Sequence, residues 1–385
     1  MPEYPGQLTS KLSNVGTSIF AVMSRLAVEH NAINLSQGFP DFPISEKLVA
    51  HVNHYMKKGF NQYAPMPGVP VLRSAIADKV SRTYQVDYDP ETEITITAGA
   101  TQALFTAITA FVKEGDEVII FEPAYDSYAP AVRLQGGLVK YVRLAQPDFT
   151  IQWDAVRKMV SNRTRMIIIN SPHNPSASLL SHEDMNQLEQ LTNNRDIIVL
   201  SDEVYEHLIF DGKKHFSACL YPGLAQRSLV VGSFGKTFHA TGWKTGFVLA
   251  PAKLTTEFRK VHQFNVFAVN TPIQFAIADM LKDESNYNSL PQFFQSKRDF
   301  FTSLLLESRF RILPSYGTYF QLLDYSAVSE LPEKDFATWL VCEHGLAVIP
   351  LSAFYHDQFN QRLVRVCFAK TEETLTKAAE VLCRI

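Results

Sequence analysis

The sequence is poor in cysteine, in long apolar runs and in excess charge of either sign. Its four cysteines are scattered over 385 residues without a C-x-x-C pair. We therefore expect reduced thiols in a cytoplasmic protein and no disulfide scaffold. No stretch approaches the roughly 18 apolar residues of a membrane helix. The start of the chain has no basic region followed by an apolar run, so no signal peptide is expected.

The charge balance and the histidines exclude further classes of function. The 36 Lys and Arg residues and 39 Asp and Glu residues leave a net charge of −3. This near balance gives no electrostatic reason to bind nucleic acid or an anionic membrane, and neither partner is expected. His182 is followed by Glu183 but lacks the second histidine of a zinc helix motif, so no metal is expected.

What the sequence does contain is an alternation of short apolar runs and helical segments from about residue 93 onward. At roughly 100–200 residues per domain, the length predicts about two domains. The apolar runs are typical of strands covered by helices on both faces, which indicates an α/β fold. They are residues 94–97, 118–121, 166–169, 197–200 and 229–232. A helical pattern over residues 18–31 and looser segments after about residue 285 predict a smaller second domain.

Polar or small residues follow four of these runs. The first run leads into Gly99, the third into Asn174, the fourth into Asp202 and the fifth into Lys236. Ligands of open α/β sheets bind outside the carboxyl ends of the strands, so these residues are expected to meet in one cleft.

The chemistry of this set suits an anionic, aromatic cofactor that carries an aldehyde. The Lys236 amine can form an imine with an aldehyde. A carboxylate such as Asp202 can keep a pyridine nitrogen protonated, which makes the ring an electron sink. The small-residue turn at Gly99 offers backbone N–H groups to a phosphate at the start of a helix.

These motifs, in this order and spacing, resemble the class I aminotransferases of pyridoxal-phosphate fold type I along essentially the whole chain. The similar segments are residues 171–175, 202–205 and 233–247. Residues 37–41 and 242–244 most resemble the kynurenine/glutamine aminotransferase branch. The resemblance implies a large domain over residues 46–285, with a mostly parallel seven-stranded sheet flanked by helices. Residues 1–45 and 286–385 would form a smaller α+β domain. It also implies a homodimer with shared active sites.

The resemblance further implies roles for individual residues. The catalytic residues would be Lys236, which also attaches pyridoxal 5′-phosphate covalently, Asp202 and Tyr205. The cofactor would contact those three residues together with Gly99, Ala100, Thr101, Tyr125, Asn174, Ser233, Lys244 and, across a dimer interface, Tyr63. Substrate would contact Gly38, Asn174 and Arg365, the last of these clamping its carboxylate. The substrates would be a 2-oxo acid and an uncharged sulfur-containing or aromatic L-amino acid, with methionine first.

Two departures from the family pattern affect the phosphate site. Many relatives have arginine where Lys244 stands, and a lysine contact would be a single point charge. Many have a small hydroxyl residue where Gly235 stands, so the site would depend more on backbone amides.

Plainer interpretations and other functions remain open from the sequence. Lys236 could be a surface lysine, Asp202 or Asn174 a local turn residue, and Tyr63 a loop packing residue. Arg362 lies close to Arg365 and either could form a surface ion pair. The same cofactor could support β-elimination from sulfur-substituted cysteine. A non-catalytic ligand-sensing domain ranks far lower, because only about 30 residues precede the Gln37–Gly38 loop and leave no room for a DNA-binding module.

Overall fold

The computed structural model describes residues 2–13 and 15–385. Met1 and Asn14, both within the predicted small domain, lie outside the described residues. The helices in the described part of the chain are α1 (Ile19–Glu29), α2 (Glu46–Lys57), α3 (Pro70–Tyr84), α4 (Gly99–Phe111), α5 (Tyr128–Leu134), α6 (Trp153–Met159), α7 (His182–Thr192), α8 (Pro222–Ala225), α9 (Phe234–Thr237), α10 (Ala252–Asn265), α11 (Thr271–Leu281), α12 (Ser285–Asn288), α13 (Leu290–Leu304), α14 (Glu333–His344) and α15 (Glu372–Arg384).

The strands form one large sheet and two small ones. They are β1 (Ile33–Asn34), β2 (Ile94–Thr97), β3 (Glu117–Glu122), β4 (Leu138–Arg143), β5 (Thr164–Asn170), β6 (Ile198–Asp202), β7 (Ser228–Ser233), β8 (Gly246–Leu249), β9 (Arg311–Ile312), β10 (Phe320–Asp324), β11 (Leu346–Ala347), β12 (Ile349–Pro350) and β13 (Leu363–Cys367). The large sheet has seven strands in the order β2-β8-β7-β6-β5-β3-β4.

The seven-stranded sheet is mostly parallel. Strands β4, β3, β5, β6 and β7 pair in parallel, and only β8 runs antiparallel to its neighbours β2 and β7. Strands β3 and β6 are buried along their whole length, which is why their sequences are nearly continuous apolar runs. Helix α4 packs on α10 and on β7 and β8. The predicted fold class, an α/β sheet with seven mostly parallel strands flanked by helices, is confirmed.

The remaining strands come from the segments predicted to form the small domain. Strand β1 pairs in parallel with β11, and a four-stranded antiparallel sheet has the order β12-β13-β10-β9. One continuous cluster of buried apolar residues draws on both regions, so the two parts share packing, while a second cluster lies within residues 103–258 of the large sheet and its helices. The domain boundaries near residues 45 and 285 stay a prediction. Among the described residues, no helix has the length and apolar character needed to cross a membrane.

Candidate active site

A cavity of about 190 Å³ opens at the carboxyl edge of the large sheet. The strands that point at it are β5, β6 and β7, whose last residues are polar. Its walls collect most of the residues that the sequence predicted. The lining residues are Gly99, Ala100, Thr101, Leu104, Tyr125, Asn170, Asn174, Asp202, Val204, Tyr205, Ser233, Gly235, Lys236, Thr241, Lys244 and Thr245. The topology therefore brings four separate sequence motifs together in one pocket.

Lys236 lies in the short helix α9, directly after β7, and its amine enters the pocket. The amine donates a hydrogen bond of 2.8 Å to the Tyr319 hydroxyl and lies 3.5 Å from the Gly38 carbonyl oxygen. Burial lowers the pKa of Lys236 to about 8; the charges of Lys244 and Arg365 act in the same direction, while Cys367 and Asp202 oppose the shift. A lysine in this setting is neutral, and hence nucleophilic and basic, closer to neutral pH than an ordinary lysine.

Asp202 is the last residue of β6 and its carboxylate is buried in the pocket wall. The Tyr128 hydroxyl donates a 2.6 Å hydrogen bond to one carboxylate oxygen. Burial raises the pKa of Asp202 to about 6, and the Tyr128 hydrogen bond opposes that rise. A cation placed against this carboxylate would favour its ionised form further. Tyr128 was not predicted from the sequence; it lies one helical turn beyond Tyr125, which is the only sequence signal for it.

The start of helix α4 forms one corner of the pocket. Gly99 has a φ of +76°, and a side chain built there would lie 3.3 Å from the Lys244 Cε. The first helical N–H groups, including those of Ala100 and Thr101, have no partner within the helix and face the pocket. The exposed Lys244 adds a positive charge, and Ser233 adds a hydroxyl. This corner is built to bind an anion such as a phosphate.

Gly235 lacks the hydroxyl that many relatives carry, and the structure shows a steric reason for glycine. A Cβ at this position would lie 3.1 Å from the Thr241 Cα. Thr241 itself begins the 3₁₀ turn Thr241–Trp243 and lines the pocket with Thr245. The backbone of Thr241 therefore stands beside the position where the side-chain hydroxyl is missing. Neither threonine was predicted as a site residue.

Arg365, on β13, is a buried guanidinium with no carboxylate partner among the described residues. It is only 1% exposed, and burial lowers its pKa to about 10. It donates to Asn174 Oδ1 at 2.6 Å and to the Ser36 carbonyl oxygen at 3.2 Å, while its Nε has no partner in the described structure. Three rings surround it, at 3.8 Å for Phe320, 5.1 Å for Phe354 and 5.4 Å for Phe20.

A buried, incompletely paired guanidinium is an anion-binding site, because its charge is costly to bury without a counterion. The neighbouring Arg362 differs: it is partly exposed to solvent and pairs with Glu330. The structure therefore places Arg365, and not Arg362, beside the pocket.

Asn174 and Tyr205 both face the pocket, but Asn174 has a second contact. Its side-chain oxygen accepts from Arg365, and its backbone N–H donates to Asn170 Oδ1 at 2.9 Å. Asn170 in turn donates to the Asp202 backbone carbonyl at 2.8 Å, so it links the ends of β5 and β6. Asn170 was not predicted as a site residue. Tyr125 lines the opposite wall, 3.4 Å from the Thr101 hydroxyl.

Gly38 does not line the pocket, but its backbone carbonyl oxygen lies 3.5 Å from Lys236 Nζ. A side chain at Gly38 would collide with the Phe320 ring at 2.8 Å, so only glycine lets the chain approach this closely. Its carbonyl oxygen accepts from the Tyr319 hydroxyl.

Tyr63 does not reach the pocket within a single chain. Its side chain is 83% exposed and packs edge-on against Phe267, with ring centroids 5.2 Å apart. Its predicted contact with the cofactor therefore requires a second subunit and stays a prediction.

The pocket fits the cofactor that the sequence predicted. Four features lie around one cavity: a partly exposed amine, a buried carboxylate with a hydroxyl donor, an aromatic wall, and a helix start with a nearby cation. Pyridoxal phosphate requires this set of partners for its aldehyde, ring nitrogen, ring face and phosphate. No group of three or more potential metal ligands occurs in the described ranges.

Comparison with known proteins assigns the class. Residues 30–382 match the family described as aminotransferase class I and II. The chain belongs to this family, and the predictions of the family and of transaminase activity are confirmed.

The relatives include amino-acid aminotransferases of the predicted branch. The chain is 52% identical to methionine aminotransferase of Escherichia coli strain K12 over 97% of both chains. A crystal structure of an E. coli protein with methionine aminotransferase function has a TM-score of 0.97 and covers 99% of this chain and 100% of its own. Human kynurenine–oxoglutarate transaminase 1 is 33% identical over 97% of this chain and 96% of its own.

Proposed function

We propose that this enzyme transfers the amino group of methionine, or of another uncharged sulfur-containing or aromatic L-amino acid, to a 2-oxo acid with pyridoxal phosphate as cofactor. The observation that carries the proposal is the pairing of two groups. Lys236, an amine of lowered pKa, lines the cavity together with Asn174. Arg365, a buried guanidinium without a carboxylate partner among the described residues, is hydrogen-bonded to the same Asn174. This arrangement can hold an amino acid by its carboxylate with its α-carbon near a base.

The residues around the cavity would hold the cofactor at five points. Lys236 would attach it covalently, and Asp202 would face the ring nitrogen. Tyr125 would cover the ring face, while Asn174 and Tyr205 would face the ring hydroxyl. The phosphate would meet the α4 N-terminus, Ser233 and Lys244. When bound, pyridoxal phosphate supplies an electron sink for the electrons left at the substrate α-carbon.

Asp202 and Tyr128 set the electrostatics of the ring site. The ionised carboxylate would stabilise a protonated ring nitrogen, and the Tyr128 hydroxyl holds the carboxylate in place. Burial raises the pKa of Asp202, and the Tyr128 hydrogen bond, together with a cationic ring when the cofactor is bound, would favour the ionised form.

Lys236 acts as the base once substrate is bound. Its Nζ removes the proton from the α-carbon of the amino donor and, in the second half-reaction, delivers a proton to the α-carbon of the 2-oxo acid acceptor. The lowered pKa matters because only the neutral amine can accept the proton of the amino donor. The Arg365 guanidinium binds the α-carboxylate of the amino acid in one half-reaction and of the oxo acid in the other.

The preference for an uncharged donor follows from the surroundings of Arg365 and from the relatives. The rings of Phe20, Phe320 and Phe354 provide apolar, aromatic surface, which suits thioether and aromatic side chains. The two cations among the described lining residues, Lys236 and Lys244, have roles as base and phosphate partner. A substrate side-chain carboxylate would therefore be desolvated without a partner. The similar E. coli enzyme is a methionine aminotransferase.

A homodimer is part of the proposal. Tyr63 and Phe264 are 83% and 91% exposed, an unusual degree for aromatic side chains. Packing these rings against a second copy would bury apolar surface and would bring Tyr63 to the partner's phosphate corner. We place the enzyme in the cytoplasm, because all four cysteines are unpaired thiols.

A panel of amino donors with one fixed 2-oxo acid tests the proposed function. The ratio kcat/KM should be highest for methionine, with phenylalanine and glutamine within about 200-fold, because apolar pockets discriminate modestly between similar side chains. Aspartate should be the poorest donor. The Lys236→Ala variant, assayed under the same conditions, gives the background rate. If aspartate were the best donor, the proposed specificity would be wrong while the transaminase assignment would stand.

A further inference from the structure

Three groups form a closed hydrogen-bonded triangle beside the pocket. Lys236 Nζ donates to the Tyr319 hydroxyl at 2.8 Å, and that hydroxyl donates to the Gly38 carbonyl oxygen. The Gly38 oxygen also lies 3.5 Å from Lys236 Nζ. Tyr319 is only 1% exposed and packs against three other rings, at centroid distances of 4.9 Å for Phe320, 5.2 Å for Tyr205 and 5.9 Å for Phe294.

The direction of these hydrogen bonds is fixed by chemistry. A carbonyl oxygen can only accept, so Tyr319 must use its single proton on Gly38. Tyr319 can then only accept from Lys236. Burial holds the pKa of Tyr319 well above its usual value, so the phenol keeps its proton. The lone pair of the neutral Lys236 amine consequently receives no hydrogen bond from Tyr319 and stays available on the pocket side.

We propose that Tyr319 is a positioning residue for the free amine of Lys236, which it holds against the Gly38 carbonyl with an N–H directed away from the pocket. The inference deepens the proposed function, because the amine must be free and oriented whenever it acts as a base. Tyr319 acts through Lys236 and need not touch the substrate. It also links the lysine to the Gly38 segment, which adjoins the carboxylate clamp through Ser36.

The test is the reactivity of the Lys236 amine in Tyr319→Phe, which keeps the ring and removes the hydroxyl. Full-length protein freed of cofactor is labelled with 1-fluoro-2,4-dinitrobenzene over a range of pH, and labelling of Lys236 is followed by peptide mass spectrometry. Loss of the acceptor destabilises the ammonium form, so the labelling midpoint should move to lower pH than in the wild type. In the loaded enzyme, kcat should fall about 10-fold with little change in KM, as expected for one lost hydrogen bond to the base.

Tyr316→Phe is the matched control. Tyr316 lies in the same segment, its hydroxyl makes no hydrogen bond among the described residues, and its ring packs under the Lys213 amine at 4.1 Å. The Tyr316→Phe variant also loses one hydroxyl, but its labelling curve and its kcat should equal those of the wild type.

A second variant covers the case in which Tyr319→Phe does not fold. Incorporating 3,5-difluorotyrosine at position 319 keeps the hydroxyl but makes it a stronger donor and a weaker acceptor, so the labelling midpoint should again move to lower pH. A midpoint equal to that of the wild type in either variant overturns the proposal. Because labelling needs no substrate, this outcome is independent of whether methionine is the donor.

Discussion

Replacing Arg365 with lysine should weaken the binding of both substrates together. Arginine presents a planar fork that can form two parallel bonds to a carboxylate, whereas lysine keeps the charge but loses the fork. In the structure, the guanidinium carbon lies 3.8 Å from the centroid of the Phe320 ring, and the guanidinium is hydrogen-bonded to Asn174 at 2.6 Å. A lysine amine would keep neither restraint on its orientation.

The size of the effect follows from the number of bonds lost. One hydrogen bond to a charged group contributes about 1.5–3 kcal/mol, which corresponds to a rise in KM of roughly 10- to 150-fold. The rise should be similar for the amino donor and for the oxo acid, because each presents its α-carboxylate to the same guanidinium in its own half-reaction. The effect on kcat should be smaller, since the base and the cofactor site are untouched.

Initial rates measured over a grid of donor and acceptor concentrations give both constants. Arg362→Lys is the control, because Arg362 is partly exposed and bonds to the exposed Glu330, and surface ion pairs contribute little. Its constants should match those of the wild type. If Arg365→Lys left the KM of either substrate unchanged, or if Arg362→Lys raised both, the assignment of the clamp would be wrong.

Three further predictions concern the rest of the site. Asp202→Asn should lower kcat at least about 100-fold in steady-state assays, because an amide supplies no negative charge to the ring nitrogen; activity near that of the wild type would contradict this role. Covalent capture of pyridoxal phosphate by cofactor-free protein, followed by absorbance, should accelerate as pH rises toward about 8, where Lys236 loses its proton; a midpoint near 10.5 would show an ordinary lysine. Mixing Tyr63→Phe subunits with Lys236→Ala subunits should give hybrid dimers with one intact composite site, and activity equal only to the sum of the parents would refute a shared site.

The strands predicted from the sequence are strands of the large sheet that are covered on both faces. The apolar runs at residues 94–97, 118–121, 166–169, 197–200 and 229–232 coincide with or overlap β2, β3, β5, β6 and β7. Strands β4 and β8 were not identified as runs. Strand β4 lies at the sheet edge with a single buried residue, and β8 is four residues long. Strand β4 lacks the apolar pattern of a central strand. Strand β8 is apolar and fully buried, but its first two residues belong to the lysine motif at residues 233–247, so it was not separated as a run of its own.

The pocket residues that the sequence missed depend on tertiary contacts. Tyr319 is 83 residues from Lys236 and reaches it from the segment before β10, so no local pattern predicts their hydrogen bond. The Thr241 backbone can lie close to residue 235 because that residue is a glycine, and a Cβ there would lie 3.1 Å from the Thr241 Cα. For the carboxylate clamp, the resemblance pointed to Arg365 but left the nearby Arg362 open, and the burial of Arg365 now favours the predicted residue.

The central claim, that Lys236 is the residue that carries the cofactor, is tested most directly by chemical trapping. Purified protein is reduced with borohydride, which fixes a pyridoxal phosphate imine as a stable amine, and is then digested and mapped by mass spectrometry. The modified peptide should contain Lys236, and Lys244, which also lines the pocket, should be unmodified. Modification of Lys244 or of another lysine, or of none, would contradict it.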